Sequence, residues 1–112
     1  MITETELKKK LKKYIISRKA YPHIPSTLEG EILLEEVKDE SGNILGWITV
    51  SPSNLVELIN MRDDKSKRPD EIVPEGVIHQ GKNLRDLSAE EFEEVSGYKK
   101  YFDRWRSEGI KI

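Results

Sequence analysis

Five apolar stretches, each with its own spacing, alternate with polar links rich in proline and glycine. In the first, Leu7, Leu11, Tyr14, Ile15 and Arg18 recur at intervals of three and four while lysines fill the remaining circumference. That spacing predicts an amphipathic helix from Thr3 to Lys19. Thr3 followed three residues later by Glu6 has the form of a capping box, and Glu4 and Glu6 stand where the helix dipole favours negative charge. Tyr21-Pro22-His23-Ile24-Pro25 ends the helix, because a residue before proline is pushed toward extended geometry.

The second and third stretches, Gly30 to Lys38 and Ile44 to Val50, are β-prone runs joined by Asp39-Glu40-Ser41-Gly42-Asn43. A five-residue polar link containing glycine predicts a hairpin, with Ile32 and Leu34 on one sheet face and Gly42-Asn43 in the turn. A helix competes for the first run. Ser26 and Glu29 have capping-box spacing, and Leu28, Ile32, Leu33 and Val37 fit a helical face. Gly30 weakens that helix, and Ile44, Trp47, Ile48, Thr49 and Val50 require a strand partner.

Ser51-Pro52 predicts a short helix to about Met61, with serine as cap and proline at the first helical position. Arg62 to Asn83 is a long polar loop, with Val77-Ile78-His79 the best place in it for a further strand. Asp63 to Asp70 has no apolar residue except proline to hold it down. The fifth stretch, Leu84, Leu87, Phe92, Val95, Tyr98, Phe102 and Trp105, predicts one helix from Leu87 to about Arg106. Ser88 and Glu91 form its capping box, and Gly97 inside it marks a kink or a close approach. The order α-β-β-α-(β)-α gives an α+β fold over residues 1–112 as one small domain, its central hairpin packed by the terminal amphipathic helices.

Charge sharpens this picture. The first twenty residues hold seven positive and two negative charges, and the remainder holds twelve and nineteen, for a formal total of −2. A basic helix is thus joined to an acidic body, and a clustered field of that kind bears on partners rather than on fold. The chain has no cysteine, which excludes disulfides, thiolate catalysis and cysteine-bound zinc. No run approaches the ~18 apolar residues of a membrane span, and the start lacks the apolar core of a signal peptide. A cytoplasmic protein without membrane contact is expected. Glu, Lys and Ile are abundant and Gln occurs once, a bias shared by heat-adapted proteins and by the products of AT-rich genomes.

Candidate chemistry is sparse. Lys9, Lys10, Lys12 and Lys13 could contact nucleic-acid phosphates, although lysine runs are commonly solvated faces and lysine makes no bidentate base contact. Tyr98, Tyr101, Phe102 and Trp105 lie beside basic residues and could anchor a protein partner or stack bases, but at helical spacing such aromatics usually form the core. Tyr101, at the edge of the stripe, is the candidate for exposure and protein binding. Glu36-Val37-Lys38 resembles the Glu-x-Lys element of restriction-endonuclease-like nucleases. That element needs an acidic residue on the preceding strand, whereas Asp70 follows it here, and a chain that is 36% charged contains such triplets by chance. His23 and His79 have no zinc-ligand spacing, Gly81-Lys82-Asn83 lacks the remainder of a phosphate loop, and Asp63-Asp64 with Asp70-Glu71 do not form a calcium loop. No metal, cofactor or catalytic residue is assigned.

The expectation is a small non-catalytic binding or regulatory protein that grips nucleic-acid backbone through its basic helix. The alternative is a protein–protein adaptor or inhibitor, a class that includes virus- and mobile-element-encoded proteins, docking through the acidic body and the long loop at 62–83. The sequence sets no oligomeric state.

Overall fold

A computed structural model describes residues 1–77 and 81–112. The fold is α+β: α1 (Glu4–Lys10), β1 (Ile32–Lys38), β2 (Ile44–Val50), α2 (Pro52–Asp63), α3 (Ala89–Ser96) and α4 (Lys99–Ser107), with 3-10 turns between them. The chain forms two compact units, one of Thr3–Val56 and one of Met1–Ile2 with Glu57–Ile112.

In the Thr3–Val56 unit the first helix is shorter than its periodicity predicts. The Thr3 hydroxyl caps it by accepting from the Glu6 N–H, but the helix stops at Lys10 and Lys12–Tyr14 forms a 3-10 turn. Ile15 and Ile16 are then extended. The Ile16 N–H donates to the Glu31 carbonyl and the Gly30 N–H to the Ile16 carbonyl, each at 2.9 Å, and Ile15 bridges Ile32. A pair of β-branched residues beside a strand that can accept them gains more from the ladder than from continuing a lysine-rich helix.

β1 and β2 form the expected antiparallel hairpin. Asp39 organises its turn: one carboxylate oxygen accepts from the Ser41 and Asn43 N–H groups at 2.9 Å, and Gly42 takes φ +85°. The competing helix at Ser26 is reduced to one 3-10 turn, Ser26–Leu28, ahead of Gly30 at φ +87°. A bulge between Leu33 and Glu35 breaks strict alternation, so Ile32, Leu33 and Leu34 are all buried rather than only the first and last. Ile16, Ile24 and Leu33 form a small core, with Tyr21, Leu28 and Trp47 packed against it.

α2 starts as predicted, with the Ser51 hydroxyl accepting from the Asn54 N–H. In the unit of Glu57–Ile112 the predicted C-terminal helix is two helices. α3 has the full capping box of Ser88 and Glu91. It ends at Gly97, whose φ of +81° carries a Schellman turn: Tyr98 N–H donates to the Glu93 carbonyl and Gly97 N–H to that of Glu94. Gly97 is therefore the stop between two helices, and not a kink within one.

The described residues of the long polar stretch are folded rather than structureless. Lys65–Lys67 is a 3-10 turn, Ile72 bridges Asn83, and the Val73 N–H donates to the Lys82 carbonyl at 2.8 Å. Val73 is buried. Of the strand expected at Val77-Ile78-His79, Val77 is an exposed bend and the rest lies outside the described residues.

Candidate functional site

The basic segment keeps its lysines in solvent. Lys8, Lys9 and Lys10 close the last turn of α1, where the helix dipole favours cations, and Lys12 and Lys13 continue on the following 3-10 turn. All five are exposed, whereas Leu7 and Leu11 on the opposite side are fully buried. Lys8 pairs with Glu4 at 3.4 Å, and the Lys13 ammonium lies 5.3 Å from the centre of the Tyr14 ring. The Tyr21 hydroxyl donates to the Lys13 carbonyl at 2.6 Å and ties the end of the segment to the loop after it. Lys9, Lys10, Lys12 and Lys13 thus lie on one short stretch, the end of α1 and the 3-10 turn after it.

Thr3–Val56 contains eight positive and eight negative charges, so the basic segment does not stand apart from the acidic residues. It shares a neutral unit with the carboxylates of the hairpin.

Tyr101 does not provide the exposed ring expected from its place on the stripe. It is 6% exposed, packed edge-on to Tyr98 with ring centres 5.8 Å apart, and flanked by the Lys100 and Arg104 cations at 4.9 and 5.7 Å from its centre. Its ring belongs to an internal aromatic group with Tyr98, Phe102 and Trp105. A partner surface would need Tyr101 to leave that group.

Two buried charges carry no signal in the sequence. Glu93 is buried on α3. Its carboxylate accepts from Arg62 at 2.9 Å and from both terminal nitrogens of Arg106. The two guanidiniums also lie over the Phe102 ring, 5.3 and 5.6 Å from its centre. Hydrogen bonding to Glu93 raises the pKa of Arg106 despite its partial burial. Arg68 is 1% exposed. It donates to the carbonyls of Met61 (2.7 Å), Arg62 (2.9 Å), Leu84 (3.0 Å) and Leu87 (2.6 Å). Burial lowers its pKa, yet arginine stays protonated at neutral pH. Both groups hold parts of the chain together through their hydrogen bonds.

The weaker candidates are dispersed. Glu36 and Lys38 are exposed opposite Trp47 and Ile44. Asp63 pairs with Arg62, Asp64 caps the turn at Ser66, and Asp70 accepts from the Asn83 amide at 2.6 Å. Lys82 pairs with Glu91 at 3.3 Å. His23 is exposed, with its ring centre 6.3 Å from that of Trp47, and His79 lies outside the described residues. Among the described residues no three His, Asp or Glu side chains are grouped to hold a metal ion, and no helix is long and apolar enough to cross a membrane. No family model, curated protein or solved structure matches the chain.

Proposed function

We propose that this is a non-catalytic, cytoplasmic binding protein in which Lys9, Lys10, Lys12 and Lys13 contact the phosphate backbone of nucleic acid without reading its bases. The observation that supports this is the exposure of all four lysines on two consecutive turns, over a buried Leu7 and Leu11 that fix the segment in place. Ammonium groups held that way approach phosphates without first ordering a loop, and each neutralised phosphate releases a counterion. Lysine's point charge fits backbone contact and not base readout. The test is fluorescence anisotropy with random duplex DNA and RNA. Binding at ~50 mM salt should weaken with a log–log slope of roughly −3 to −4, for three or four phosphates. Changing the four lysines to glutamate should abolish it without altering the far-UV circular dichroism.

A second reading is a protein adaptor or inhibitor. It is favoured by the exposed acidic end of the hairpin, Glu36, Asp39 and Glu40, which suits a basic surface on another protein. Absence of any nucleic-acid binding at ~50 mM salt, where such contacts are strongest, would put this reading first.

A further inference from the structure

The longest charge-free run in this chain extends from Ser41 to Val56, between Glu40 and Glu57, in a sequence that is 36% charged. β2 lies inside it and reads Ile-Leu-Gly-Trp-Ile-Thr-Val, with neither a charge nor a proline. Three of the large apolar side chains left in solvent are on this one strand: Ile44 (40% exposed), Leu45 (68%) and Ile48 (39%). Among the described residues the sheet has two strands, and β2 is paired along one side only. Among the described residues no backbone hydrogen bond joins β2 to any segment other than β1. The outer side of β1, by contrast, is partly closed where Ile15 bridges Ile32, and β1 itself carries Glu35, Glu36 and Lys38.

Natural edge strands are kept from pairing by lysine, by proline, by inward charges or by bulges. β2 has one of these devices, the register shift opposite Val37 and Lys38 near the turn. The rest of the strand presents peptide groups and β-branched or aromatic side chains, the composition that favours cross-strand pairing.

We propose that the free edge of β2 pairs antiparallel with β2 of a second copy, joining two hairpins into a four-stranded sheet. Charge argues for a second copy as the occupant. In a two-fold antiparallel pair each strand meets its own sequence, so any charge on it would face a like charge nearby; β2 brings none. Past each end of the paired strands, Asp39 and Glu40 of one copy would run beside the uncharged Ser51–Val56 segment of the other, so no like charges meet there either. An isologous contact of this kind closes on itself and stops at two chains. Seven residues span about 24 Å, and a single strand pair falls in the class of small interfaces below ~1,200 Å² that associate weakly. The dimer is therefore concentration-dependent.

Sedimentation equilibrium of the full chain, from about 10 μM to about 1 mM, reads this by mass action. The mass should rise from 13.0 kDa toward twice that value, and raising salt should not reverse it, because no charge lies in the pairing edge. Ile48→Lys should hold the mass at one chain throughout. Leu45→Lys, at a more exposed position, gives the same reading if the first variant proves unfolded by circular dichroism. A wild-type mass that stays at 13.0 kDa over the whole range, a dimer dissolved by salt, or folded lysine variants that associate as the wild type does would each overturn the proposal.

Discussion

The guanidinium of Arg68 stands 4.5 Å from the centre of the Phe92 ring, so the most buried cation of the chain lies over an aromatic face as well as against four carbonyls. Two of those carbonyls, of Met61 and Arg62, end α2, and two, of Leu84 and Leu87, flank the turn before α3. One side chain thereby satisfies the terminal acceptors of a helix and fixes where the polar stretch returns.

Arg68→Ala should destabilise the Glu57–Ile112 unit strongly. Removing the guanidinium leaves buried carbonyls without donors and opens a cavity against Phe92, a loss on the order of 3–5 kcal/mol. Arg68→Lys should recover little, since one ammonium cannot reach four divergent acceptors. Chemical denaturation of both variants checks this, and a lysine variant as stable as the wild type would contradict it.

Amide exchange offers a related check. The N–H groups of Lys67 and Arg68 donate to the carbonyls of Asp64 and Lys65, beside a buried side chain. They should exchange more slowly than an unanchored polar loop, in contrast to the looseness that the composition of Asp63 to Asp70 suggests.

Gly97→Ala should cost about 1 kcal/mol, through backbone strain alone, because a Cβ at this position meets no atom within 4 Å. Asparagine, which tolerates the left-handed region better, should cost less. A thermal melt would show the alanine variant lowered on the order of 5 °C.

Phe102→Ala should lose about 3–5 kcal/mol, as the ring is 1% exposed and lies against the Arg62 and Arg106 cations. Phe102→Leu restores most of the volume but not the π face, so the loss it still shows against the wild type carries the cation contribution, expected near ~1 kcal/mol. Equal melting temperatures for wild type and Phe102→Ala would remove Phe102 from the core.

Asp39 should titrate below the ordinary aspartate value of 3.8, first because the Asn43 backbone N–H donates to it and then through the Asn43 side chain. A depressed folded-state pKa stabilises the turn above the unfolded value, and that support is lost as pH falls through the lowered one. An NMR titration of the carboxyl carbon checks the direction, and an Asn43→Ala variant, which keeps the backbone N–H, should move the midpoint upward by the side-chain share alone.

Local signals in the sequence are legible in the structure wherever a turn or a cap decides the outcome. Ser51-Pro52, Ser88 with Glu91, and the Gly42 turn each stand where their short-range chemistry puts them. Long-range contacts account for the differences. The helical pattern from Leu7 to Arg18 is sound as periodicity, and what ends the helix is a ladder to Gly30–Ile32 that no window around Lys12 contains. Arg68 looks like loop because its partners are carbonyls of Met61, Arg62, Leu84 and Leu87, which have no sequence signature. Of the candidate site, the exposure of Lys9, Lys10, Lys12 and Lys13 follows from the amphipathic pattern. The burial of Tyr101 does not, since the break at Gly97 starts a new helix and shifts which residues face inward.

The neutral unit of Thr3–Val56 has a consequence for how it meets a polyanion. The basic turn at Lys12–Tyr14 contacts β1, and Ile15 bridges Ile32 at the start of that strand. The carboxylates run along it to Asp39 and Glu40, a strand's length of about 20 Å away. Such a unit has no monopole, and beyond the Debye length of ~8 Å at physiological salt it exerts almost no pull. Inside that distance the separated charges make an electric dipole, and under the proposed function a polyanion's field would apply a torque that turns the lysines forward and the hairpin outward. In the proposed contact the segment would set the angle of approach more than the rate of arrival.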